Sequence, residues 1–300
     1  MNRLVDQPLL DSDEIAQLIA GGAALASQSP DQINQRLNTG SSQSALIGSG
    51  TEFDDLRLFQ FGDDLRQIDW RATARSQERL VRTYRSEFQQ PFQLVVDRNS
   101  TMRFGTKRRL KVTQAARLSL WFLGIYHQQN YALGALLLEQ ESKLFDCRVG
   151  GDWLNFLCEA LVSPAPPTQN PPINWQAVLT QLLTETPLGA RVILISDFSS
   201  LTSADRALIT ELAERTSLSA LCITDPMERN PQPLLASDLI WGRTRFFVDG
   251  QESVSRIQQA YSNRRSAIKE LMSQSGTPLF EICSSLDQFA LCLLGGNDHE

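Results

Sequence analysis

Residues 61–75, FGDDLRQIDWRATAR, bring together side chains that could do chemistry. The stretch holds three aspartates, three arginines and one tryptophan. Carboxylates this close along a chain can hold the two metal ions of a phosphohydrolase or nuclease. The same carboxylates can instead form ion pairs, because the planar guanidinium of arginine donates two parallel hydrogen bonds to one carboxylate. The two interpretations give the same residues different roles.

The composition of the surrounding segment favours ion pairs over catalysis. Residues 51–85 contain seven acidic residues and seven arginines, so an arginine stands close to each acid. The segment contains no histidine, lysine or cysteine that could act as acid, base or nucleophile. Its charges cancel, which also argues against a nucleic-acid interface, because phosphates require a net positive surface.

We therefore predict a structural latch that holds the N-terminal part of the chain against the part that follows. Buried Ile68 and Trp70, together with partly desolvated ion pairs, would fix one docking geometry. Breaking a buried ion pair costs about 3–5 kcal/mol. For residues 68–75 the apolar spacing fits both a strand and a helical turn, and the two remain open. The predicted latch residues are Asp63, Asp64, Arg66, Asp69, Trp70 and Arg75.

A second group of candidate residues follows two apolar runs that are typical of buried strands. FQLVVD ends at Asp97, with Asn99 and Thr101 shortly after it. RVILISD ends at Asp197. Mg²⁺ prefers oxygen ligands in octahedral order, and the ends of two neighbouring strands could supply them. The alternative is that the two aspartates cap the helices that follow, since aspartate is a preferred N-cap residue.

Strands alternate with helices from residue 91 onward. Apolar runs such as LSALCITD and PLFEIC predict strands, and residues 107–127 have apolar side chains at helical spacing. A last helix is predicted for LDQFALCLL. The alternation predicts a mainly parallel sheet with helices on both faces. In such sheets ligands bind at the carboxyl ends of the strands, near a switch in strand order.

The chain divides into three predicted segments. The first contains a helix, with Asp11 or Ser12 as its N-cap and Gly21 as its end, followed by a flexible loop rich in serine and glycine. The second is the charged segment with the latch. The third is the α/β domain. The segments are residues 1–50, 51–90 and 91–300.

The composition is typical of a soluble protein in a reducing compartment. The 300 residues carry a net charge of −6, which argues against the broad basic surface of a nucleic-acid-binding protein. The five cysteines form no Cys-x-x-Cys pair, which indicates free thiols. The sequence shows no signal peptide and no apolar run long enough to span a membrane. We therefore predict a cytoplasmic protein that does not insert directly into a membrane.

Five stretches of the chain, in this order and spacing, resemble a known family. They are EFDDLRLFQFGDDLRQIDWRATAR, VRTYRSE, LVVDRNSTMRFGT, VILISDF and CITDPME. They resemble the bacterial domain-of-unknown-function family fifty-eight, whose members carry a von Willebrand factor A-type domain. The resemblance runs from about residue 40 to the C-terminus. It implies an α/β fold: a Rossmann-like three-layer sandwich of von Willebrand factor A type, with a mainly parallel sheet and an N-terminal extension packed on it.

The resemblance also implies a metal-ion-dependent adhesion site that binds Mg²⁺. Such a site reads Asp-x-Ser-x-Ser, with a threonine and a second aspartate further along the chain. The threonine matches only weakly, with Thr168 as its candidate. Asparagine replaces the first serine, so the site is degenerate, and no other cofactor is implied. The matching residues are Asp97, Asn99, Thr101 and Asp197.

The function implied by the resemblance is that of a non-enzymatic, protein-binding adaptor. Family members are often encoded beside MoxR-type AAA+ ATPases, which implies such an ATPase and an unknown client protein as partners, and no nucleic acid. The contact face would be the strand ends around Asp97 and Asp197, where a partner carboxylate would complete the shell of the ion. A metal-dependent phosphohydrolase or nuclease that uses the acids of residues 54–69 remains the alternative.

Overall fold

The structure is a computed structural model, in which the chain forms two compact units. The smaller unit lies within residues 43–89 and the larger unit comprises the remainder. The helix predicted for LDQFALCLL lies largely outside the residues that the structure describes. The described residues are 7–28, 52–58, 68–76, 78–85, 89–164, 172–231, 238–241, 244–248 and 250–288.

Ten strands are present in the described residues, and six of them form the central sheet of the larger unit. They are β1 (Glu52–Leu58), β2 (Leu80–Arg85), β3 (Pro91–Asp97), β4 (Ala132–Leu138), β5 (Lys143–Arg148), β6 (Arg191–Ser196), β7 (Ser217–Thr224), β8 (Asp238–Trp241), β9 (Thr244–Phe247) and β10 (Leu279–Cys283). The central sheet has the order β10-β7-β6-β3-β4-β5, and β5 alone is antiparallel to its neighbour. The predicted mainly parallel sheet is therefore confirmed.

Eight α-helices are present in the same part of the chain. They are α1 (Ser12–Gln28), α2 (Trp70–Ser76), α3 (Lys111–Gln128), α4 (Gly151–Val162), α5 (Trp175–Glu185), α6 (Arg206–Arg215), α7 (Pro226–Arg229) and α8 (Gly250–Gln274). None of the helices in the described ranges is both long and apolar enough to cross a membrane.

Helices cover both faces of the central sheet, because its strands are apolar on both sides. Leu94 and Val96 of β3 join a hydrophobic cluster with α1, α3 and α4. Val95, between them, joins a second cluster with α5, α6 and α8. All three side chains are at most 1% exposed. The continuous apolar runs in the sequence thus reflect strands that are buried on both faces.

The order of the strands places a switch point between β3 and β6. The chain runs from β3 to β4 and β5 on one side, and then returns to β6 on the other side of β3. In open α/β sheets such a switch leaves a crevice at the carboxyl ends of the two central strands. These are the ends that carry the predicted residues Asp97 and Asp197.

The N-terminal helix α1 packs on α3 and belongs to the larger unit. Its start is as predicted, because Asp11 Oδ1 accepts a hydrogen bond from Glu14 N (2.8 Å). The predicted end at Gly21 is wrong, since α1 continues to Gln28. Gly22 serves close packing, because a Cβ at this position would overlap the carbonyl oxygen of Trp121 in α3. An N-terminal extension that packs on the α/β body is therefore present as α1.

The smaller unit contains β1, β2 and α2. Strands β1 and β2 pair antiparallel, with an irregularity between Phe53 and Asp55. The backbone N of Asp69 donates to Leu80 O (2.9 Å), which ties the start of α2 to β2. The open choice for residues 68–75 is thus decided, because most of them lie in helix α2.

Two glycine substitutions on α1 test whether close helix packing explains these residues. Gly22→Ala places a methyl group against the backbone of α3, and we expect it to lower the free energy of unfolding by about 1–3 kcal/mol. Gly21→Ala is the matched control, because nothing lies within 4 Å of a Cβ at Gly21. We expect it to raise stability by about 0.5–1 kcal/mol through helix propensity. Urea unfolding followed by circular dichroism measures both, and equal effects would contradict the packing explanation.

Candidate functional site

Three neighbouring strands of the central sheet lead into a buried aspartate. Asp97 is the last residue of β3, Asp197 directly follows β6, and Asp225 directly follows β7. Their exposed fractions are 1%, 3% and 0%, in that order. Asp97 and Asp197 are among the predicted site residues, whereas Asp225 is not. The signal was present, because CITD is also an apolar run that ends in aspartate.

The side chain of Asp97 ties β3 to β6. Its Oδ2 accepts a hydrogen bond from Ser196 Oγ (2.5 Å), and its Oδ1 accepts one from the backbone N of Asn99 (2.8 Å). Ser196 Oγ in turn accepts a hydrogen bond from Phe198 N (2.8 Å). Both carboxylate oxygens of Asp97 are therefore engaged by donors of the chain itself. The aspartate holds the turn after its own strand, which is close to the capping role.

Asp197 lies at the centre of a buried cluster of charges. Its Oδ1 accepts a hydrogen bond from Ser199 N (2.9 Å) and its Oδ2 accepts one from Lys111 Nζ (3.3 Å). Arg264 Nη2 lies 3.7 Å from Asp197 Oδ1, and Lys111 also donates to Glu228 Oε1. We call these charged groups the tip cluster: Asp97, Lys111, Asp197, Glu228 and Arg264.

The pKa values in the tip cluster assign its charges. Burial, and then the nearby Asp197 carboxylate, raise the pKa of Asp97 to about 7. Burial also acts to raise the pKa of Asp197, but Lys111, Arg264 and the hydrogen bonds from Ser199 outweigh it and hold this pKa below its usual value. Burial acts to lower the pKa of Lys111, but Asp197 and Glu228 outweigh it and raise this pKa. The pair of Lys111 and Asp197 therefore stays ionised.

Lys111 is the member of the tip cluster that the sequence does not reveal. It is the first residue of α3 and is 2% exposed, although it stands in the basic run KRRLK. Lysine is almost never fully buried unless it is paired. Its partners Asp197 and Glu228 lie 86 and 117 residues further along the chain. No local pattern could have marked this lysine as buried, because its environment is created by the tertiary fold.

Asp225 braces three segments through neutral donors. It accepts hydrogen bonds from Thr106 N (2.9 Å), from the hydroxyl of Thr106 and from Met227 N (2.9 Å). Ser284 Oγ, just after β10, donates to its Oδ2 (3.2 Å). The loop after β3, the start of α7 and the end of β10 thus meet at one buried carboxylate, which fixes the loops around the strand ends.

Arg98 fixes the other side of the β3 end. Its guanidinium donates to Glu139 Oε1 (2.8 Å) and to the backbone oxygens of Leu161 (2.6 Å), Ser163 (2.8 Å) and Pro164 (2.8 Å). The side chain of Arg98 is 1% exposed. The residue after Asp97 therefore anchors the C-terminal end of α4 and the start of the proline-rich segment.

The residues implied as magnesium ligands do not fit a divalent ion in this arrangement. Asp97 is engaged at both oxygens, and the side-chain oxygen of Asn99 accepts a hydrogen bond from Ser100 N (2.6 Å). The ammonium group of Lys111 would repel a divalent ion about 4 Å away by about 8 kcal/mol, at an effective dielectric constant of about 20. Thr101 lies in a 3₁₀ turn after β3, and Thr168 lies outside the described residues.

The described residues also offer no other metal site. Among the described residues, no group of three or more histidine, cysteine, aspartate or glutamate side chains is placed to hold a metal ion. Mg²⁺ requires near-ideal octahedral geometry, and carboxylates that already serve protein donors supply it poorly.

The predicted latch residues divide into those that the structure describes and those that it does not. Asp69 Oδ1 accepts hydrogen bonds from Arg71 N (2.9 Å) and Ala72 N (3.0 Å), so this aspartate caps α2. Ile68 is 5% exposed, as predicted, but the predicted burial of Trp70 is wrong, because its side chain is 66% exposed. Trp70 is the first residue of α2, and Arg75 in the last turn is exposed too. Asp63, Asp64 and Arg66 lie outside the described residues.

A cavity of about 280 Å³ opens beside the tip cluster. It lies between the carboxyl ends of β6 and β7, the first half of β10 and one face of α8, and it shares Asp197, Glu228 and Arg264 with the tip cluster. Glu281 on its wall pairs with Arg265 (2.5 Å) and Lys269 (3.1 Å). Ligand pockets for drug-sized molecules measure about 300–1,000 Å³, so this cavity lies at the lower end of that range.

The chain matches the model of a protein family and is similar to several curated proteins over part of its length. The model of a family described as "Protein of unknown function DUF58" matches residues 55–235. Uncharacterized proteins from Mycobacterium bovis and Mycobacterium tuberculosis are 38% identical over 78 residues, which is 25% of this chain and 25% of each relative. The match thus spans about a quarter of the length of these curated relatives.

The solved structures that the chain matches share little sequence with it. A conserved hypothetical protein BatB from Bacteroides thetaiotaomicron has a TM-score of 0.45 and 12% identity, covering 67% of this chain and 93% of that one. An aerotolerance-related membrane protein from Bacteroides fragilis has a TM-score of 0.36 and 10% identity, covering 61% and 99%.

The anchoring role of Arg98 gives a stability prediction. Arg98→Met leaves three carbonyl oxygens without their donor and Glu139 with Lys143 as its remaining partner, and we expect the free energy of unfolding to fall by about 3–5 kcal/mol. Arg256→Met is the matched control, since Arg256 pairs with Glu252 and its side chain is 78% exposed. We expect a change within about 0.5 kcal/mol for the control. Denaturant titration measures both, and a small effect of Arg98→Met would contradict the anchor.

Proposed function

The chain belongs to the family described as protein of unknown function DUF58, and we propose that it is a non-enzymatic, protein-binding adaptor. In this proposal its larger unit is a von Willebrand factor A-like domain that works with a MoxR-type AAA+ ATPase on a client complex. The contact face is the carboxyl edge of the central sheet, around the tip cluster. The proposed partners are that ATPase and a client protein.

The observation that carries the proposal is that the acidic side chains at this edge are already engaged. Asp97, Asp197, Asp225 and Glu228 each accept hydrogen bonds from donors of the chain itself. A catalytic acid or base must exchange a proton with a substrate, and a metal ligand must turn a lone pair toward the ion, so donors of the chain that already occupy these oxygens compete with both roles. Engaged carboxylates instead make the edge rigid, which supports a binding role.

Two features around the edge support a protein as the ligand. The cavity of about 280 Å³ beside the tip cluster is large enough for one or two side chains of a partner. Next to the β3 end, Lys107, Arg108 and Arg109 form a basic rim, with Arg108 68% exposed and Lys107 exposed as well. Asp287 pairs with both arginines, which leaves the rim with a net positive charge. On a chain with a net charge of −6, such a local basic group steers an acidic partner surface.

The described residues do not favour the alternative of a phosphohydrolase or nuclease. Asp69, one of its proposed metal ligands, is engaged as the cap of α2. Asp63 and Asp64 lie outside the described residues.

A binding experiment with purified proteins tests the proposal. The wild-type chain is titrated with a MoxR-type ATPase from the same genome in the presence of nucleotide, and biolayer interferometry gives the dissociation constant. Lys107→Glu reverses one charge of the basic rim, and we expect binding about three- to tenfold weaker, with a smaller dependence on salt. Arg215→Glu is the matched control, since Arg215 ends α6 at the opposite edge of the sheet.

Two results would reject the proposal. In the first, wild type and ATPase do not associate at micromolar concentrations, or Lys107→Glu and Arg215→Glu bind equally well. In the second, the wild type hydrolyses a model phosphodiester in a magnesium-dependent way and Asp64→Ala abolishes this activity. The second result would support the enzymatic alternative instead.

A further inference from the structure

We infer that the ammonium group of Lys111 is the built-in cation of the carboxyl edge, which takes the place of a divalent ion and makes the site independent of metal. The tip cluster contains Asp97 and Asp197, two of the four residues that the resemblance implies as a magnesium site. The inference goes beyond the proposed function, because it assigns the charge that holds the site together. For the mode of partner recognition it also rests on that proposed function.

The geometry around Lys111 is that of an ion surrounded by ligands. Its Nζ donates to Asp197 Oδ2 (3.3 Å) and to Glu228 Oε1. The side chains of Lys111, Asp197 and Glu228 are 3%, 4% and 10% exposed. The three residues come from the start of α3, the end of β6 and α7. One ammonium group thus joins three separate elements, as a bound cation would.

The position of Lys111 is fixed by its own backbone and side chain. Its backbone N donates to Phe104 O (2.9 Å), which closes the loop between β3 and α3. Its Nζ lies 5.7 Å from the centre of the Phe104 ring, in the range of a cation–π contact. The ammonium is therefore held in place by the fold, and it does not dissociate as a bound ion does.

The four ionised groups around Lys111 balance without a metal, and Asp97, whose pKa is raised to about 7 by burial, adds at most one negative charge. Asp197 and Glu228 carry two negative charges, and Lys111 and Arg264 carry two positive charges next to them. The Oδ2 of Asp97 faces Ser196 of β6. A divalent ion would leave a buried excess of positive charge, whereas buried charges are stable only when they are paired.

This assignment changes how a partner can bind. In a metal-dependent adhesion site a partner carboxylate completes the shell of an accessible ion. Here the cation is buried, with 3% of its side chain exposed, so a partner carboxylate does not reach it. Recognition then falls to exposed groups around the edge, such as the basic rim.

Thermal melting with and without metal ions tests the inference on the purified full chain. The wild type is measured in EDTA and then with Mg²⁺, Mn²⁺ or Ca²⁺ at millimolar concentration. An ion that binds the native state raises Tm by several degrees when its concentration far exceeds Kd. We expect the wild-type Tm to change by less than about 1 °C.

Lys111→Met supplies the second arm of the test. Methionine keeps most of the length of the side chain but removes the ammonium group, which leaves Asp197 with Arg264 alone and takes from Glu228 its contact with Lys111. We therefore expect a lower Tm in EDTA and a rise of several degrees with Mn²⁺. Lys269→Met is the matched control, because Lys269 pairs with Glu281 (3.1 Å) and its side chain is 54% exposed. We expect this control to respond to none of the three ions.

Two results would overturn the inference. One is a wild-type Tm that rises by several degrees with an ion, with the rise lost in Asp197→Asn. The other is a folded Lys111→Met protein that responds to none of the ions. If Lys111→Met does not fold, the wild-type series decides alone: a rise overturns the inference and an unchanged Tm supports it. Melting involves only this chain, so its result does not depend on the identity of the partner.

Discussion

The ion pair between Lys111 and Asp197 is the interaction on which the carboxyl edge of the sheet depends. Both residues are buried, at 2% and 3% exposure, so each has lost its hydration and depends on the other for compensation. Removing one partner of such a pair costs about 3–5 kcal/mol, because the other charge is left buried and alone. Glu228 and Arg264 extend the pair, so the start of α3, the end of β6, α7 and α8 share one electrostatic centre.

Hydrogen bonds from neutral and charged side chains hold the rest of the edge around this centre. Asp97 joins β3 to β6, Asp225 joins the loop after β3 to β7 and β10, and Arg98 joins the β3 end to α4. These contacts lie where the strand order switches, which is where open α/β sheets bind ligands. Since each contact uses side-chain atoms at the strand ends, the loops that surround them are held in one conformation. That rigidity suits a binding surface, because little conformational entropy is lost when a partner docks.

Local patterns predicted the elements of the fold well, and distant contacts account for what they missed. The apolar runs that end at Asp97 and Asp197 identified two central strands and the edge at which they meet. Gly21 predicts a helix end because glycine is a common local stop signal, whereas it lies in mid-helix, next to Gly22, which permits the close approach to α3. Lys111 had no local signal at all, since its partners are distant in the sequence.

A tethered cation and a bound metal ion differ in what they allow a binding surface to do. A metal ion can leave, and its open coordination position can accept a carboxylate from a partner, so metal-dependent adhesion responds to ion concentration. The ammonium group of Lys111 is covalently part of α3 and donates to two carboxylates of its own chain. It supplies the charge balance of such a site without an open position. In the proposed function, the specificity for a partner then lies in exposed side chains around the edge, such as Lys107 and Arg108 of the basic rim.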